Sequence, residues 1–361
     1  MSIAKQPLVV LGFLKDNTSI KEKESPKSMQ EPNNTQAEID VNLDLSLRPS
    51  RWEDYIGQDK VKTNLRLIID AAKGRSESCD HLLFYGPPGL GKTTLAYLIA
   101  HEMGAPIKST SGPALEKAGD VAALLTNLEP HEILFIDEAH RVNTTIEEIL
   151  YPAMESRKLH LIVGKGPSAR TFSLDLPPFT VIAATTKANM LSAPLRSRFG
   201  ATFRLDYYSP KDLERIIKRS AKLLNVEIAP AAAAKIAEAS RFTPRAANRL
   251  LKRVRDYAQV YLGNNINEEA VQKTLELLEI DSLGLDNTDR QLLLAIVNNF
   301  NGGPVGLKSL GAALNEEPGT IEDVYEPFLM KLGLLNRTSA GRTITDAAYT
   351  HLGLHTKKKL V

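Results

Sequence analysis

The feature that most constrains this chain is a glycine-rich motif set between an apolar run and an amphipathic segment. The motif reads Gly86-Pro-Pro-Gly-Leu-Gly-Lys92-Thr93, which is the G-x-x-x-x-G-K-[ST] spacing of a phosphate-binding P-loop. A run of strand length precedes it, and apolar residues at helical spacing follow it until Gly104. Glycines let backbone N–H groups turn inward on a phosphate, and the helix N-terminus adds positive charge. The motif therefore predicts a nucleotide site.

Each polar residue of the motif has an expected role in binding ATP and Mg²⁺. Lys92 is expected to reach the outer phosphates, and the Thr93 hydroxyl is expected to ligate Mg²⁺. Gly89, Gly91 and Thr94 belong to the same predicted cradle. ATP and Mg²⁺ are thus the cofactors that the sequence predicts.

A second apolar run, 132–136, is followed by two acids, and a histidine lies two residues after the second acid. A strand beside the P-loop strand would place Asp137 near the Mg²⁺ water shell and Glu138 near an attacking water. Apolar runs that end in acids are common by themselves. Downstream of a P-loop, this one predicts the hydrolytic half of an ATPase site.

Two further stretches offer candidates for sensing the terminal phosphate. A third apolar run, 180–184, ends in Thr185 and Thr186, either of which has the hydroxyl that a phosphate sensor needs, although threonine is also an ordinary strand residue. Farther on, Arg196 and Arg198 follow Ala193-Pro-Leu. Arginine near a helix end often only complements the helix dipole. The alternative is a finger that reaches a neighbouring subunit's nucleotide.

Strands alternating with helical patterns predict the fold class α/β, a doubly wound parallel sheet that ends near residue 206. Before the P-loop, the segment 47–58 is a candidate wall for the nucleotide base, through Leu47, Arg48, Tyr55 and Ile56. Short apolar runs around Gly164-Lys-Gly-Pro167 predict a β-hairpin over 157–176. Its apolar residues either fold back on the domain or face a partner.

Beyond Tyr207 the pattern is helical to about 280, which predicts a second, helical domain, called the lid below. Thr243 and Pro244 form an N-cap and first-turn pair, so Arg245 falls in a first turn, where positive charge is unfavourable. A bound anion such as the nucleotide would explain this arginine. The alternative is a solvated side chain.

The last segment carries three helical patterns and a hairpin around Gly341, which predicts a winged helix. The third helix holds the acids Glu322, Asp323 and Glu326, which phosphates would repel. The hairpin instead offers Arg337 and Arg342. We expect these two arginines to contact the DNA backbone, with little sequence preference.

Composition restricts the class of protein but does not indicate a function. Lys+Arg 45 against Asp+Glu 43 is nearly balanced, so any nucleic-acid surface has to be local. The only cysteine, Cys79, excludes an internal disulfide and suits a reducing compartment, which favours a cytoplasmic protein. Residues 15–42 are polar without an apolar period, and we expect a disordered leader. The expected parts are the leader 1–43, the ATPase domain 44–206, the lid 207–280 and the winged helix 281–361.

Several phrases of the sequence go beyond general P-loop features. They include Tyr55-Ile-Gly-Gln58, Thr110-Ser-Gly-Pro113, Leu125-Thr-Asn-Leu-Glu-Pro130, Tyr151-Pro-Ala-Met-Glu155 and Thr243-Pro-Arg245. With these phrases, the chain from about 44 to 355 resembles the RuvB family of AAA+ motors, which drive branch migration of Holliday junctions. Departures from the family pattern include Ala139 and Thr338-Ser-Ala340, the latter in the wing.

The resemblance implies a function and assigns further residues. It implies a hexameric ring on duplex DNA in recombination and repair, with RuvA bound through the 157–176 hairpin and RuvC as the resolvase partner. It makes Asp137 and Glu138 the Walker B pair, Thr186 the first sensor, Arg198 the trans-acting finger and Arg245 the second sensor. It also implies that Tyr208 lines the base pocket, that Arg337 and Arg342 contact DNA, and that three residues approach a neighbour's nucleotide: Glu155, Ser156 and Arg157.

Two other functions are compatible with the same parts. A clamp loader or replication initiator shares the ATPase and lid, but it would ignore four-way junctions. A nucleotide-gated transcription regulator would use its winged helix to recognise one operator. The acidic third helix argues against the regulator, and equal affinity for unrelated duplexes would exclude it.

Overall fold

The computed structural model describes residues 46–163 and 170–355. The leader expected at 1–43 and the tip of the expected hairpin lie outside the described residues. Within those ranges no helix is long and apolar enough to cross a bilayer.

A five-stranded parallel sheet lies at the centre of the first domain. Its strands are β1 (Leu82–Tyr85), β2 (Ile107–Ser111), β3 (Ile133–Asp137), β6 (Thr180–Thr185) and β7 (Ala201–Arg204). They are ordered β2-β3-β6-β1-β7, so the P-loop strand β1 pairs with both β6 and β7. Because every neighbour is parallel, all carboxyl ends of the strands meet at one edge of the sheet and all amino ends meet at the other.

Helices connect these strands and cover both faces of the sheet. They are α1 (Asp59–Arg75), α2 (Lys92–Met103), α3 (Ala118–Thr126), α4 (Thr144–Ser156) and α5 (Ala193–Arg196). Strand side chains alternate between the faces, as the period of a strand requires. Phe84 and Phe135 enter one apolar core, while Leu83 and Leu134 enter the other. The sheet is thus buried on both sides, which explains its continuous apolar strands.

The predicted hairpin is present as an antiparallel pair, β4 (Lys158–Val163) with β5 (Arg170–Asp175). Leu159 at its base is fully buried in the second core. Phe172 and Leu174 are instead 51% and 42% exposed. The hairpin therefore folds back at its base and presents apolar surface farther out.

The lid consists of four helices, α6 (Pro210–Leu223), α7 (Pro230–Glu238), α8 (Pro244–Tyr261) and α9 (Glu268–Leu277). The expected cap of α8 is confirmed, since the Thr243 hydroxyl accepts a hydrogen bond from the Ala246 amide at 3.3 Å. Two short strands, β8 (Glu227–Ile228) and β9 (Asn265–Ile266), form a parallel pair that sequence analysis did not predict. The apolar side chains of the lid share the first core of the ATPase domain.

The last domain begins with α10 (Asn287–Phe300) and α11 (Leu307–Leu314), and its wing is β10 (Leu335–Thr338) paired with β11 (Gly341–Ile344). The third helical element is irregular. It comprises α12 (Pro318–Thr320), a π-helical turn over Ile321–Tyr325, and α13 (Glu326–Lys331), and α14 (Asp346–His351) follows the wing. A separate core around Leu292, Leu310 and Phe328 holds these pieces together.

Candidate ATP site and DNA-binding wing

The P-loop lies directly after β1, at the carboxyl edge of the sheet. Gly86, Gly89 and Gly91 have φ angles of 141°, 81° and 94°, a region that favours glycine. A Cβ atom on Gly86 would collide with the backbone oxygen of Leu205, and one on Gly91 would lie 3.0 Å from the Tyr55 hydroxyl. Glycine is therefore required here both by backbone conformation and by close packing.

Lys92, the first residue of α2, points back into the loop. Its Nζ donates hydrogen bonds to the carbonyl oxygens of Gly86 at 2.8 Å and Pro87 at 2.9 Å. The side chain is buried, and this burial lowers the pKa of Lys92 to about 8, although the carboxylates of Glu138 and Asp137 act in the opposite direction. Phosphate oxygens strongly stabilise an ammonium that has lost most of its water, so Lys92 is suited to donate hydrogen bonds to them.

Thr93 and Asp137 come together from different elements, although β6 separates β3 from the P-loop strand β1, and the prediction that these two strands are neighbours is wrong. The Thr93 hydroxyl donates to Asp137 Oδ2 at 3.0 Å, while Asp137 Oδ1 accepts from the Glu138 amide at 2.9 Å. One hydroxyl and one carboxylate are the donor set expected for Mg²⁺, which takes its remaining ligands from water and phosphate. No cluster of three or more His, Cys, Asp or Glu side chains able to hold a metal occurs in the described ranges.

Glu138 contacts the histidine two residues after it, to which sequence analysis gave no role. Its backbone is left-handed, with φ 49°, and its Oε2 lies 3.2 Å from His140 Nδ1. The same imidazole nitrogen lies 3.0 Å from the Thr185 hydroxyl, which also accepts from the Lys187 amide at 2.9 Å. Burial lowers the pKa of His140, which favours the neutral ring.

These contacts bear on which threonine faces the nucleotide. Thr185 is fully buried and its hydroxyl is engaged by His140 and Lys187. Thr186 follows the end of β6 and is only partly buried. Thr186 is therefore the more accessible of the two.

The lid reaches the P-loop through the start of α8. The Arg245 amide donates to the Gly89 carbonyl at 3.4 Å, and its exposed side chain begins next to Gly89. Arg245 also contributes to lowering the pKa of Lys92, as a nearby positive charge does. The α8 N-terminus and Arg245 thus add positive potential beside the loop.

The predicted base pocket residues differ in their exposure. Tyr208 is buried, its hydroxyl oxygen lies 3.3 Å from both the Leu90 carbonyl oxygen and the Tyr55 hydroxyl, and burial raises its pKa to about 12. Leu47 is also buried, and its carbonyl accepts from Arg219 at 3.0 Å. Arg48 is exposed. Tyr208 therefore supports the P-loop directly, whereas only Arg48 of this set projects into solvent.

The residues predicted to act on a neighbouring subunit lie at the amino edge of the sheet, away from the P-loop. The Gly200 amide bonds to the carbonyl of His81, the residue before β1, and His81 lies 3.1 Å from the Met154 carbonyl at the end of α4. Arg198 is therefore at this edge. Its guanidinium bonds to Glu155 at 2.7 Å. Glu155, Ser156 and Arg157 are all exposed here.

Comparisons with known proteins agree with the order of ATPase domain, lid and winged helix along the chain. Three family profiles match consecutive segments: the Holliday junction DNA helicase RuvB P-loop domain at 47–205, the RuvB AAA lid domain at 208–281 and the RuvB C-terminal winged helix domain at 282–353. The chain belongs to the RuvB family. It is accordingly a P-loop AAA+ ATPase with an α/β nucleotide-binding domain, a helical lid and a winged helix.

Solved structures of a RuvB protein are similar to the whole described arrangement. The Thermotoga maritima RuvB Holliday junction branch migration motor is 50% identical, with a TM-score of 0.79, over 86% of this chain and 99% of that one. A point mutant of the same Thermotoga protein is 49% identical, with a TM-score of 0.80, over 86% and 99% of the two chains.

The RuvB-type wing differs from expectation at one of its two arginines. Arg337 is half-exposed and pairs with Glu322 at 2.7 Å. Arg342 is instead buried, and its Nε and Nη2 bond to the two carboxylate oxygens of buried Glu326 at 2.5 Å and 3.1 Å. Arg342 thus fixes the wing to α13, and its burial and its ion pair argue against the predicted contact with DNA. Arg337 and Arg342 lie opposite each other across the β10–β11 pair and so share one face, and only packing against Glu326 of α13 separates them, which the sequence does not reveal.

All three acids of the third helical element have intramolecular partners. Besides the two glutamates, Asp323 lies 2.6 Å from Lys187, which follows the predicted phosphate sensor. The repulsion of phosphate expected from these acids is therefore partly neutralised. Asp323 also joins the winged helix to the carboxyl edge of the ATPase sheet.

Proposed function

We propose that this RuvB family member is the ATP-driven motor of a Holliday-junction branch-migration complex, a ring of six copies that moves duplex DNA in recombination and repair. The observation that carries the proposal is the continuous match of ATPase, lid and winged-helix domains over 47–353. We propose as their boundaries 44–206, 207–280 and 281–361.

Hydrolysis would use the groups gathered at the carboxyl edge of the sheet. Gly89, Gly91, Lys92 and Thr94 would hold the phosphates, and Thr93 would bind Mg²⁺ directly, with Asp137 acting through water. The contacts supporting this are the 3.0 Å Thr93–Asp137 hydrogen bond and the buried Lys92. When bound, Mg²⁺ would neutralise charge on the phosphates.

The other residues of the proposed site act on the water, the terminal phosphate and the adenine. Glu138 would orient the attacking water once it leaves His140, and Thr186 and Arg245 would sense the terminal phosphate. Leu47, Arg48 and Tyr208 would surround the base. Leu47 and Tyr208 are buried, so they would shape the pocket through packing.

Arg198 would complete the site of the next subunit rather than its own. The P-loop begins after Tyr85, whereas Arg198 precedes β7, whose first residue pairs with Leu82 at the other end of β1. The two edges are separated by a four-residue strand, roughly 13 Å. Glu155, Ser156 and Arg157 share this edge, so the same face would meet the neighbour's nucleotide. A site completed in trans requires assembly, which supports a ring.

The DNA and protein partners follow from exposed surfaces. Arg337 is half-exposed on the wing, and a guanidinium there suits backbone phosphates, which gives little sequence preference. The exposed Phe172 and Leu174 on the β4–β5 hairpin would bind RuvA. RuvC would act on the same junction. Changes in the angle between the ATPase domain and the lid during turnover would move the wings and carry the DNA backbone.

The test is dissociation of a synthetic four-way junction by the purified chain with ATP, with and without RuvA. We expect ATP-dependent dissociation that RuvA strengthens, and none with a non-hydrolysable analogue. Stimulation of sliding-clamp loading without any effect on junctions would instead favour the clamp loader. Tight binding to one duplex among unrelated sequences would favour the transcription regulator.

A further inference from the structure

Arg198 is surrounded by groups that fix the plane of its guanidinium. Its Nη1 donates to the Pro194 carbonyl at 2.7 Å and its Nη2 to Glu155 at 2.7 Å. The guanidinium carbon lies 4.8 Å from the centre of the Tyr151 ring, within cation–π distance. Its Nε has no hydrogen-bond partner among the described residues. The Tyr151 ring thus covers one face of the guanidinium, and hydrogen bonds hold the two terminal nitrogens of the guanidinium.

The Tyr151 ring is itself fixed at its far end. Its hydroxyl is 2.7 Å from the Ser192 hydroxyl and donates to Glu147 at 3.0 Å. Ser192 is the N-cap of α5, the short helix that leads to Arg198, and Glu147 is buried one turn earlier on α4. The tyrosine therefore connects the helix before the hairpin with the segment that carries the arginine.

We propose that Tyr151 is a positioning residue for Arg198, holding the guanidinium plane in the orientation needed at a neighbouring subunit's nucleotide. This rests on the proposed trans role of Arg198. An arginine side chain has many rotamers, and restricting them beforehand reduces the entropy lost when the finger engages the transition state. Glu155 holds the finger between turnovers, and its exposed carboxylate releases it when phosphate charge competes.

The test compares Tyr151→Leu, which removes the ring, with Tyr151→Phe, which keeps the ring and removes the hydroxyl. DNA-stimulated ATPase activity of full-length protein is measured across ATP concentrations. We expect kcat of Tyr151→Leu to fall roughly tenfold, the loss that corresponds to a cation–π contact of ordinary strength, with KM nearly unchanged. Tyr151→Phe should stay within about threefold of the parent, since the ring contact remains. Tyr261→Leu, an exposed tyrosine of the lid, is the matched control.

Mixing variants separates positioning from damage to the fold. Tyr151→Leu mixed with Lys92→Ala should gain activity above the sum of the two alone, because the intact finger of one subunit meets the intact P-loop of the other. Tyr151→Leu mixed with Arg198→Ala should show no such gain, since both affect the same finger. A gain in that second mixture, or a parent-like kcat for Tyr151→Leu, would overturn the proposal.

Failure of the proposed function gives a different pattern. If Arg198→Ala turns over ATP at the parent rate, the finger itself is misassigned. If Arg198→Ala is inactive while Tyr151→Leu is unaffected, only the positioning role is lost.

Discussion

Replacing Arg342 tests whether the wing arginine is structural rather than a DNA contact. In the structure it makes a two-point ion pair with Glu326, which is 1% exposed. The substitution Arg342→Met keeps much of the volume but leaves that carboxylate buried without its cation. We expect the winged helix to be destabilised both in the presence and in the absence of DNA.

The magnitude follows from the burial of both partners. Breaking a buried pair by removing one member costs about 3–5 kcal/mol, because an uncompensated charge remains. Removing half-exposed Arg337 should cost at most about 1 kcal/mol, since a solvated pair contributes little. Replacing both Arg342 and Glu326 by leucine should cost less than Arg342→Met alone, because no buried charge is left unpaired.

The assay is hydrogen exchange of the full-length protein, followed in peptides from the wing and α13. The single tryptophan, Trp52, is buried in the ATPase domain, so its fluorescence does not report on this domain. Arg342→Met should increase exchange in the wing by about a hundredfold to several thousandfold, with ATPase peptides unchanged. Exchange rates equal to those of Arg337→Ala would refute the structural role of Arg342.

Three further predictions concern the ATP site and the DNA surface. ATP affinity should fall as pH rises above about 8, because the lowered pKa leaves less of Lys92 charged and the charged form binds phosphate; titrations of Lys92→Arg should stay flat over that range. A parent affinity that is constant to pH 10 would contradict this. Arg198→Ala should retain ATP binding while hydrolysis falls by about 10³ or more, measured by equilibrium binding and phosphate release; normal turnover would refute the finger. Arg337→Ala should weaken binding equally for unrelated duplexes and reduce its salt dependence, whereas loss for one sequence only would indicate base recognition.

The elements around the P-loop were predictable because local pattern determines them. Buried parallel strands give continuous apolar runs such as 81–85 and 132–136, and the motif fixes the turn between strand and helix. Strand β2, Ile107–Ser111, was not predicted, because it is an edge strand whose sequence is largely polar and which no period distinguishes. Helix caps such as Thr243 were visible, while the π-helical turn at Ile321–Tyr325 has no signal in the sequence.

The candidate site shows the same division. Residue types within motifs, such as Lys92 and Asp137, could be assigned to a site before the fold was known. Contacts that depend on tertiary packing could not. His140 reaches Thr185, and Tyr151 reaches Arg198, only because separate elements meet at the two edges of the sheet. Exposure was equally hidden, so Arg337 and Arg342 looked alike although only Arg337 is accessible.

In the proposed motor, hydrolysis of ATP, and not its binding alone, moves DNA. The most direct measurement follows phosphate release and four-way-junction dissociation together, in one RuvA-containing sample, for the parent and for Glu138→Gln. We predict that Glu138→Gln binds ATP and the junction but loses both rates together. Junction dissociation at the parent rate without phosphate release would contradict the account.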